Sequence, residues 1–397
     1  MIRFLHQSLA LSLTNLRSVH RRAWISLSMV CSVALVVVVL LGFLSMANGF
    51  RQTLDATGAD DVGMVVSRAA IGEAMSSLST RQTHLIEEAP GIERTESGQP
   101  IMSAELLVPV DAVSVDDGQA ATLSLRGVGP QGLALRANVD IASGRMFEPG
   151  AAEIIVGQRL AGRYQDMDVG DTISFGRSEW TVVGHFTAGG SVFESEMMTD
   201  RGMVQTLFDR QNVVQSVRVK LTGPERFEEF RAYVEDELDM GLTAHTEKAF
   251  FAAQASDVSR IILFLGWPLA IVMAIGAAAG AMTTMYSSVS DRRVEIATVR
   301  AIGYSRGAAF MGTLVEAVAL TVLGCAVGVA IAWLGLDGWS ASTRGGANTQ
   351  LAFELALSWP IVVNASIMAL CVGFLGGGLP AFRATRVPLR SAMTGRS

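Results

Sequence analysis

The sequence predicts an α-helical membrane protein with four transmembrane helices, arranged 1+3, and a mixed α+β domain between the first helix and the other three. Three observations carry this. Four long stretches are almost free of charge, arginines gather in the short flanks of those stretches, and the strand and turn signals fall between the first stretch and the second. The bulk composition agrees. Of 397 residues, 50% are hydrophobic and 17% charged, against about 25% charged in an ordinary soluble domain. Mean hydropathy is +0.38. Disorder and a disulfide scaffold are excluded, since apolar material is abundant and Cys31, Cys325 and Cys371 all lie in apolar runs. A net charge of −6 with only two lysines and scattered arginines speaks against a nucleic-acid partner.

Taken in order, the chain divides as a cytoplasmic amphipathic segment (1–23), a first span (24–47) and an outer domain with its stalks (48–260). A second span (261–285), a cytoplasmic loop (286–307), a third span (308–336), a short outer loop (337–358), a fourth span (359–381) and a cytoplasmic tail (382–397) follow. A helix needs roughly 20 apolar residues to cross the hydrocarbon core. Residues 23–50, 261–290 and 355–382 contain no charge, and 307–336 contain one, Glu316. Arg3, Arg17, Arg21 and Arg22 flank the first run. Arg292, Arg293, Arg300 and Arg306 lie between the second and third, and Arg383, Arg386, Arg390 and Arg396 follow the fourth; the 337–358 loop has only Arg344. Basic flanks stay inside, so both termini and the 286–307 loop are expected in the cytoplasm. The first apolar run exceeds the 7–15 residues of a signal-peptide core, so it is expected to stay as a span. The 49–257 segment, with 17 basic and 32 acidic residues, is expected outside.

Within the outer domain, Ser79-Thr80-Arg81-Gln82 forms a capping box before a helix that Pro90-Gly91 ends. Leu123 and Leu125 alternate with polar neighbours, as do Val217, Val219 and Leu221, and both stretches read as strands. Residues 172–175 and 180–186 read as a hairpin about Gly176-Arg177. Pro224 opens a helix whose Phe227, Phe230, Val234 and Leu238 share a face. Residues 241–260 lack a breaker after Gly241 and are expected to run as helix into the second span, opposite a second stalk that starts over 46–54.

Catalytic signatures are missing. A P-loop needs Gly-Lys-Ser/Thr, and neither Lys220 nor Lys248 stands in that context. The outer-domain His84, His185 and His245 are far apart in sequence, and no HExxH or GxSxG occurs. Pairs such as Asp60-Asp61, Asp116-Asp117 and Glu228-Glu229 read as solvated faces. The chain is not expected to be an enzyme or to bind a cofactor; ATP and Mg²⁺ would belong to a separate subunit. A membrane-anchored ectoenzyme would need a catalytic cluster in 49–257, and none is visible.

The most informative stretch lies after the second span. It runs from Asp291 through Arg292, Arg293, Val294, Glu295, Ile296, Ala297, Thr298, Val299, Arg300, Ala301 and Ile302 to Gly303. No breaker precedes Gly303, which suits the position after a helix end. Arg292 and Glu295 are i,i+3 neighbours. A short charged helix at the membrane surface results. The stretch Arg293–Gly303 resembles the coupling region of the FtsX-like, or MacB-type (type VII), ABC permeases, whose members show Arg-x-Glu-Ile-Ala-x-x-Arg-Ala-Ile-Gly there. Gly378-Leu379-Pro380-Ala381-Phe382-Arg383-Ala384 and Pro388 resemble that family's last-span exit. Residues 125–128, 143–147, 153–157 and 169–173 resemble its MacB-like periplasmic core.

The resemblance implies an FtsX-like permease domain over 261–390; in one respect the chain departs from the founding member of that subgroup, since the two lysines leave no P-loop and no fused ATPase is expected. It implies a bacterial ABC transporter permease in the cytoplasmic (inner) membrane whose separate ATPase drives motion of the outer domain, for export or extraction of substrate at the outer face: efflux by mechanotransmission. The implied partners are an ABC ATPase and a second permease subunit, identical or paralogous, with a periplasmic adaptor and outer-membrane channel compatible with it. A non-transporting FtsX-type regulator of cell-wall hydrolases is the rival reading. Arg292, Arg293, Glu295, Ile296, Ala297, Arg300 and Gly303 are the expected ATPase-coupling residues. Glu316 lies nine residues past Gly307, or about 13 Å along a helix. A carboxylate inside the bilayer needs a partner, and Arg300, Arg306 or Arg383 is expected to supply it. Three spans carry GxxxG spacing, at Gly276/Gly280, Gly324/Gly328 and Gly373/Gly377, expected to pack helices within the chain or across a dimer.

Overall fold

A computed structural model describes residues 2–18, 23–115, 117–136, 138–176, 178–344 and 350–386. The expectations resting on Arg21, Arg22, Asp116, Arg177, Pro388, Arg390 and Arg396 lie outside the described residues. The chain opens with helices α1 (Ile2–Ser18) and α2 (Ala23–Asp55). Strands β1 (Val62–Ser67) and β2 (Leu78–Ser79) and helix α3 (Thr80–Glu87) follow. Then come β3 (Met102–Val113), β4 (Ala120–Val128), β5 (Asp140–Gly144), β6 (Glu153–Gly157), β7 (Thr172–Phe175) and β8 (Ser178–Thr187). Next are β9 (Glu196–Asp200), α4 (Arg201–Leu207), β10 (Val213–Val214), β11 (Ser216–Lys220), α5 (Phe227–Ala232) and β12 (Leu242–Thr246). Helices α6 (Glu247–Asp291), α7 (Arg293–Ala301) and α8 (Arg306–Leu336), strands β13 (Ser340–Arg344) and β14 (Gln350–Glu354), and α9 (Trp359–Ala384) complete it.

Two compact units result: residues 1–49, 259–339 and 355–397, and residues 50–258 with 340–354. In the first, α2, α6, α8 and α9 are long and apolar enough to cross a membrane. Their shared core joins Val33, Val37, Leu40 and Leu41 of α2, Ala270 and Ala277 of α6, Ala332 of α8, and Ile361, Ala365 and Val372 of α9. The opposite faces stay apolar too, as with Phe264, Val272 and Ile275 of α6. That is the pattern of helices solvated by lipid.

The second unit is built on a ten-stranded mixed sheet in the order β12-β1-β11-β3-β4-β9-β6-β8-β5, with β7 pairing β8. Two apolar clusters share that sheet. One gathers Leu106, Leu123, Leu125, Val156, Trp180 and Met197; the other Val65, Val217, Val219, Phe230, Val234 and Ala244. The capping box at Ser79 and Gln82 forms as expected, and so does the β7–β8 hairpin. The face of Phe227, Phe230, Val234 and Leu238 packs into the second cluster.

One expectation needs correction. Residues 242–246 do not begin the helix into the second span: they pair with β1 as an edge strand. Leu242 and Ala244 alternate inward while Thr243, His245 and Thr246 face outward or sit half-buried, so the period of two wins until Glu247. The 337–358 loop also has structure of its own, the antiparallel β13–β14 hairpin. Arg159 Nη1 donates to the Ala352 carbonyl at 3.0 Å, and Ser195 Oγ both donates to that carbonyl and accepts from the Ala352 N–H. The hairpin thus belongs to the same unit as the large sheet.

Candidate functional site

Helix α7 begins one residue after α6 ends, with Arg292 at its N-cap, and stops at Ile302; Gly303 follows with φ +109°, a left-handed position that glycine adopts without strain. Arg292 is buried and makes three contacts. Its Nη1 lies 3.1 Å from Glu316 Oε2, its Nε lies 3.0 Å from Glu295 Oε2, and its Nη2 donates to Asn15 Oδ1. One guanidinium therefore ties the start of α7 to the middle of α8 and to α1. Arg292 was not one of the three expected partners of Glu316; one of those, Arg383, stacks over the Tyr286 ring at 4.6 Å. Helix α1 lies against α8, where a Cβ added to Gly312 would come within 3.2 Å of Asn15 Nδ2. It also reaches the α7–α8 turn, through Gln7 Nε2 on the Gly303 carbonyl.

The two faces of α7 differ. Ile296 and Ala297 pack with Val289, Ala309 and Ala384, so they hold the helix to its own unit and are not presented outward. Arg300 is half-buried. Arg293 is exposed, Glu295 is 65% exposed at its side chain, and two apolar residues that the sequence reading passed over, Val294 and Ile302, are 59% and 75% exposed. The outward surface is an apolar strip between an arginine and a glutamate. The helical period of i, i+4, i+8 from Val294 could have found it; nothing in the sequence marks Asn15.

Of the three glycine pairs, two pack helices within the chain. A Cβ on Gly324 would sit 2.9 Å from the Val30 carbonyl oxygen of α2, and one on Gly328 2.8 Å from that of Ala34. Gly373 approaches Thr321 and Gly377 approaches Ala317, joining α9 to α8. A Cβ on Gly276 or Gly280 would meet nothing within 4 Å.

A second constellation, in the sheet unit, was not foreseen. Arg218 of β11, Glu105 of β3, Arg126 of β4 and Glu196 of β9 lie on four neighbouring strands as a ladder of alternating charge. Arg126 meets Glu196 at 2.6 Å, Glu73 at 2.7 Å and Glu105 at 2.9 Å. Arg136 meets Glu105 at 2.7 Å; Arg218 meets Glu247 at 2.7 Å, Glu73 at 2.9 Å and also Glu105. The guanidinium of Arg136 stacks 4.5 Å above the Phe193 ring. Burial pushes the Glu105 carboxyl up, but Arg136, Arg218 and Arg126 outweigh it and hold its pKa at about 2. Burial likewise opposes Glu73, and Arg126 and Arg218 hold it well below the usual carboxylate range. Nearby, Asp60 and Asp61 are not merely solvated: they pair with Lys248 at 2.7 Å and Lys220 at 2.6 Å. Among the described residues no group of three or more His, Cys, Asp or Glu side chains could hold a metal ion.

Comparison with known proteins decides the family. Residues 26–237 match the MacB-like periplasmic core domain, and residues 268–389 match the FtsX-like permease C-terminal domain. The chain belongs to the FtsX-like, MacB-type ABC permease family. This permease is 23% identical over 420 aligned residues to the lipoprotein-releasing system transmembrane protein LolC of Xylella fastidiosa, covering 97% of this chain and 98% of that one. It is 25% identical over 291 residues to the macrolide export ATP-binding/permease protein MacB of Neisseria meningitidis, covering 67% of this chain and 42% of that one. It is 27% identical over 136 residues to the uncharacterized ABC transporter permease YknZ of Bacillus subtilis, covering 34% and 32%. The permease thus spans less than half the length of these last two relatives. The FtsX-like match contains α7 and Glu316, and the MacB-like match contains the charge ladder up to Arg218.

Proposed function

We propose that the permease works with a separate ATPase subunit that docks on the outward face of α7, and that ATP turnover there drives its outer domain to export or extract a substrate at the outer face of the bacterial cytoplasmic membrane. The observation that carries this is the division of labour in α7. Arg292, Ile296 and Ala297 fasten the helix to α1, α8 and α9, while Arg293, Val294, Glu295 and Ile302 face outward. A helix so anchored passes a push to α8 instead of absorbing it, because Arg292 and Glu316 form a desolvated pair whose rupture is costly. Helices α2 and α6 make their backbone hydrogen bonds internally, save the one that Pro268 cannot donate in α6, and can act as levers. The arginine flanks support a cytoplasmic position for both termini and for α7. ATP and Mg²⁺ are held by the partner, and a second permease subunit completes the assembly. The names of MacB, an ATP-binding/permease protein, and of LolC, part of a lipoprotein-releasing system, fit this reading. The test is co-purification with the ATPase encoded nearby. Glu295→Arg and Ile302→Asp should each lower its recovery and its turnover at least tenfold while the permease itself still inserts and folds. Unchanged recovery and turnover in both would return α7 to a solvated turn.

A further inference from the structure

A cavity of about 200 Å³ opens in the sheet unit beside the charge ladder. Its walls come from the segment just after α2 (Gly58, Ala59), from Arg136 behind β4, from Ser191 and Phe193, and from Glu247 at the start of α6. Two of these side chains are buried yet lack a partner among the described residues for one polar atom each: Arg136 Nε and Ser191 Oγ. Of the other guanidinium nitrogens, Arg136 Nη1 donates to Glu105 and to the Gly132 carbonyl, and Nη2 donates to Glu105. A buried donor without an acceptor is costly, by about 1–3 kcal/mol, and such groups mark where an acceptor is to be received. Here two of them line one cavity.

The surroundings narrow the acceptor. The charged groups of the lining are Asp61, Lys220, Arg136 and Glu247. Each already has its counter-ion: Asp61 with Lys220, Arg136 with Glu105 and Glu247 with Arg218. The 49–257 segment is also strongly acidic overall. No charge is left over to receive a carboxylate, so a neutral carbonyl oxygen is the favoured acceptor. Leu135, Val139, Phe193 and several alanines supply the apolar part of the wall. The volume is close to that of a cavity of about 150 Å³ that takes up benzene. We infer that this cavity is a binding site for a neutral carbonyl group, amide or ester, carried on an apolar body the size of one aromatic ring, with the Arg136 Nε–H and the Ser191 hydroxyl as its donors. The inference does not depend on what docks at α7. An occupant would touch both the segment leaving α2 and the first residue of α6.

The test uses the full-length permease in detergent micelles and fluorine NMR line broadening with three probes of one size: 4-fluorobenzamide, 4-fluorobenzoate and 4-fluorotoluene. Two variants alter the lining in different ways. Ser191→Ala removes one donor and leaves the volume; Ala59→Leu fills the cavity and leaves the donors. The benzamide should bind at least fivefold more tightly than either other probe. Ser191→Ala should weaken it about fivefold to tenfold, and Ala59→Leu should abolish the difference among the probes. Tighter binding of the benzoate would overturn the choice of a neutral ligand. Equal broadening by all three probes, or benzamide binding that neither variant alters, would overturn the site.

Discussion

Replacing Arg292 by Met removes the guanidinium while keeping most of the side chain's volume. Glu316 and Asn15 are then left buried, the carboxylate without the cation 3.1 Å away. Breaking a buried ion pair from one side costs about 3–5 kcal/mol. The bond to Glu295 adds little, since that carboxylate is 65% exposed and exposed pairs contribute about 0–1 kcal/mol. Arg292→Met should therefore destabilise the membrane unit by about 3–5 kcal/mol and Glu316→Leu by a similar amount, whereas Glu295→Ala should cost less than about 1 kcal/mol. The double variant Arg292→Met/Glu316→Leu replaces the pair by apolar groups and should lose no more than either single variant alone, which makes the coupling energy about 3 kcal/mol or more. Glu316→Gln, which can still accept from Arg292, should fall between wild type and Glu316→Leu. The assay is unfolding by sodium dodecyl sulfate titration in mixed micelles, read by circular dichroism. Additive losses in the double variant would refute the claim that Arg292 and Glu316 act as one unit.

Acid should weaken the sheet unit through its ladder. A carboxyl whose folded pKa is depressed stabilises the fold above its unfolded pKa, and that contribution is lost as pH falls toward the folded value. For Glu105 the window runs from about 4.5 to about 2, worth about 3 kcal/mol. Proteolytic resistance of the sheet unit should hold from pH 7 to 5 and decline below, and Glu105→Gln should flatten that decline while lowering resistance at pH 7. Gly58 has φ +88°, and a Cβ there would come 2.8 Å from the Glu247 carbonyl carbon; Gly58→Ala should cost about 1–3 kcal/mol, seen as a lower melting temperature. Gly328→Val should overpack α8 against α2 and lower folded yield, while Gly280→Val, in open space, should fold as wild type. A cysteine placed at Gly118 should label with an impermeant thiol reagent in intact spheroplasts; labelling only after lysis would reverse the orientation.

The membrane unit was legible because its signal is compositional. Four apolar runs can be satisfied in lipid only as helices, and the breaker-free run up to Gly303 forecast where α7 ends. Its faces were less legible. Ala297, one of the expected coupling residues, packs with Ala309 and Ala384, and Val294 and Ile302, which the motif does not mark, are the exposed apolar residues of α7. The partner of Glu316 depended on how α6 and α7 meet, which sequence spacing does not encode. Strand 242–246 was hidden because five residues of period two carry less signal than the long breaker-free run that follows. The charge ladder was invisible for a different reason: Arg218, Glu105, Arg126 and Glu196 are far apart in the chain, and only the order β11-β3-β4-β9 makes them neighbours.

Site-specific photo-cross-linking from α7 tests the central claim most directly. A photoreactive phenylalanine analogue is placed at Ile302, which is 75% exposed on the outward face of α7, and separately at Trp333, exposed far along α8. If α7 is the docking element, irradiation in membranes containing the neighbouring ATPase should give a covalent permease–ATPase adduct from position 302 and none from position 333. Absence of the adduct at 302, with both proteins present and folded, would contradict the account.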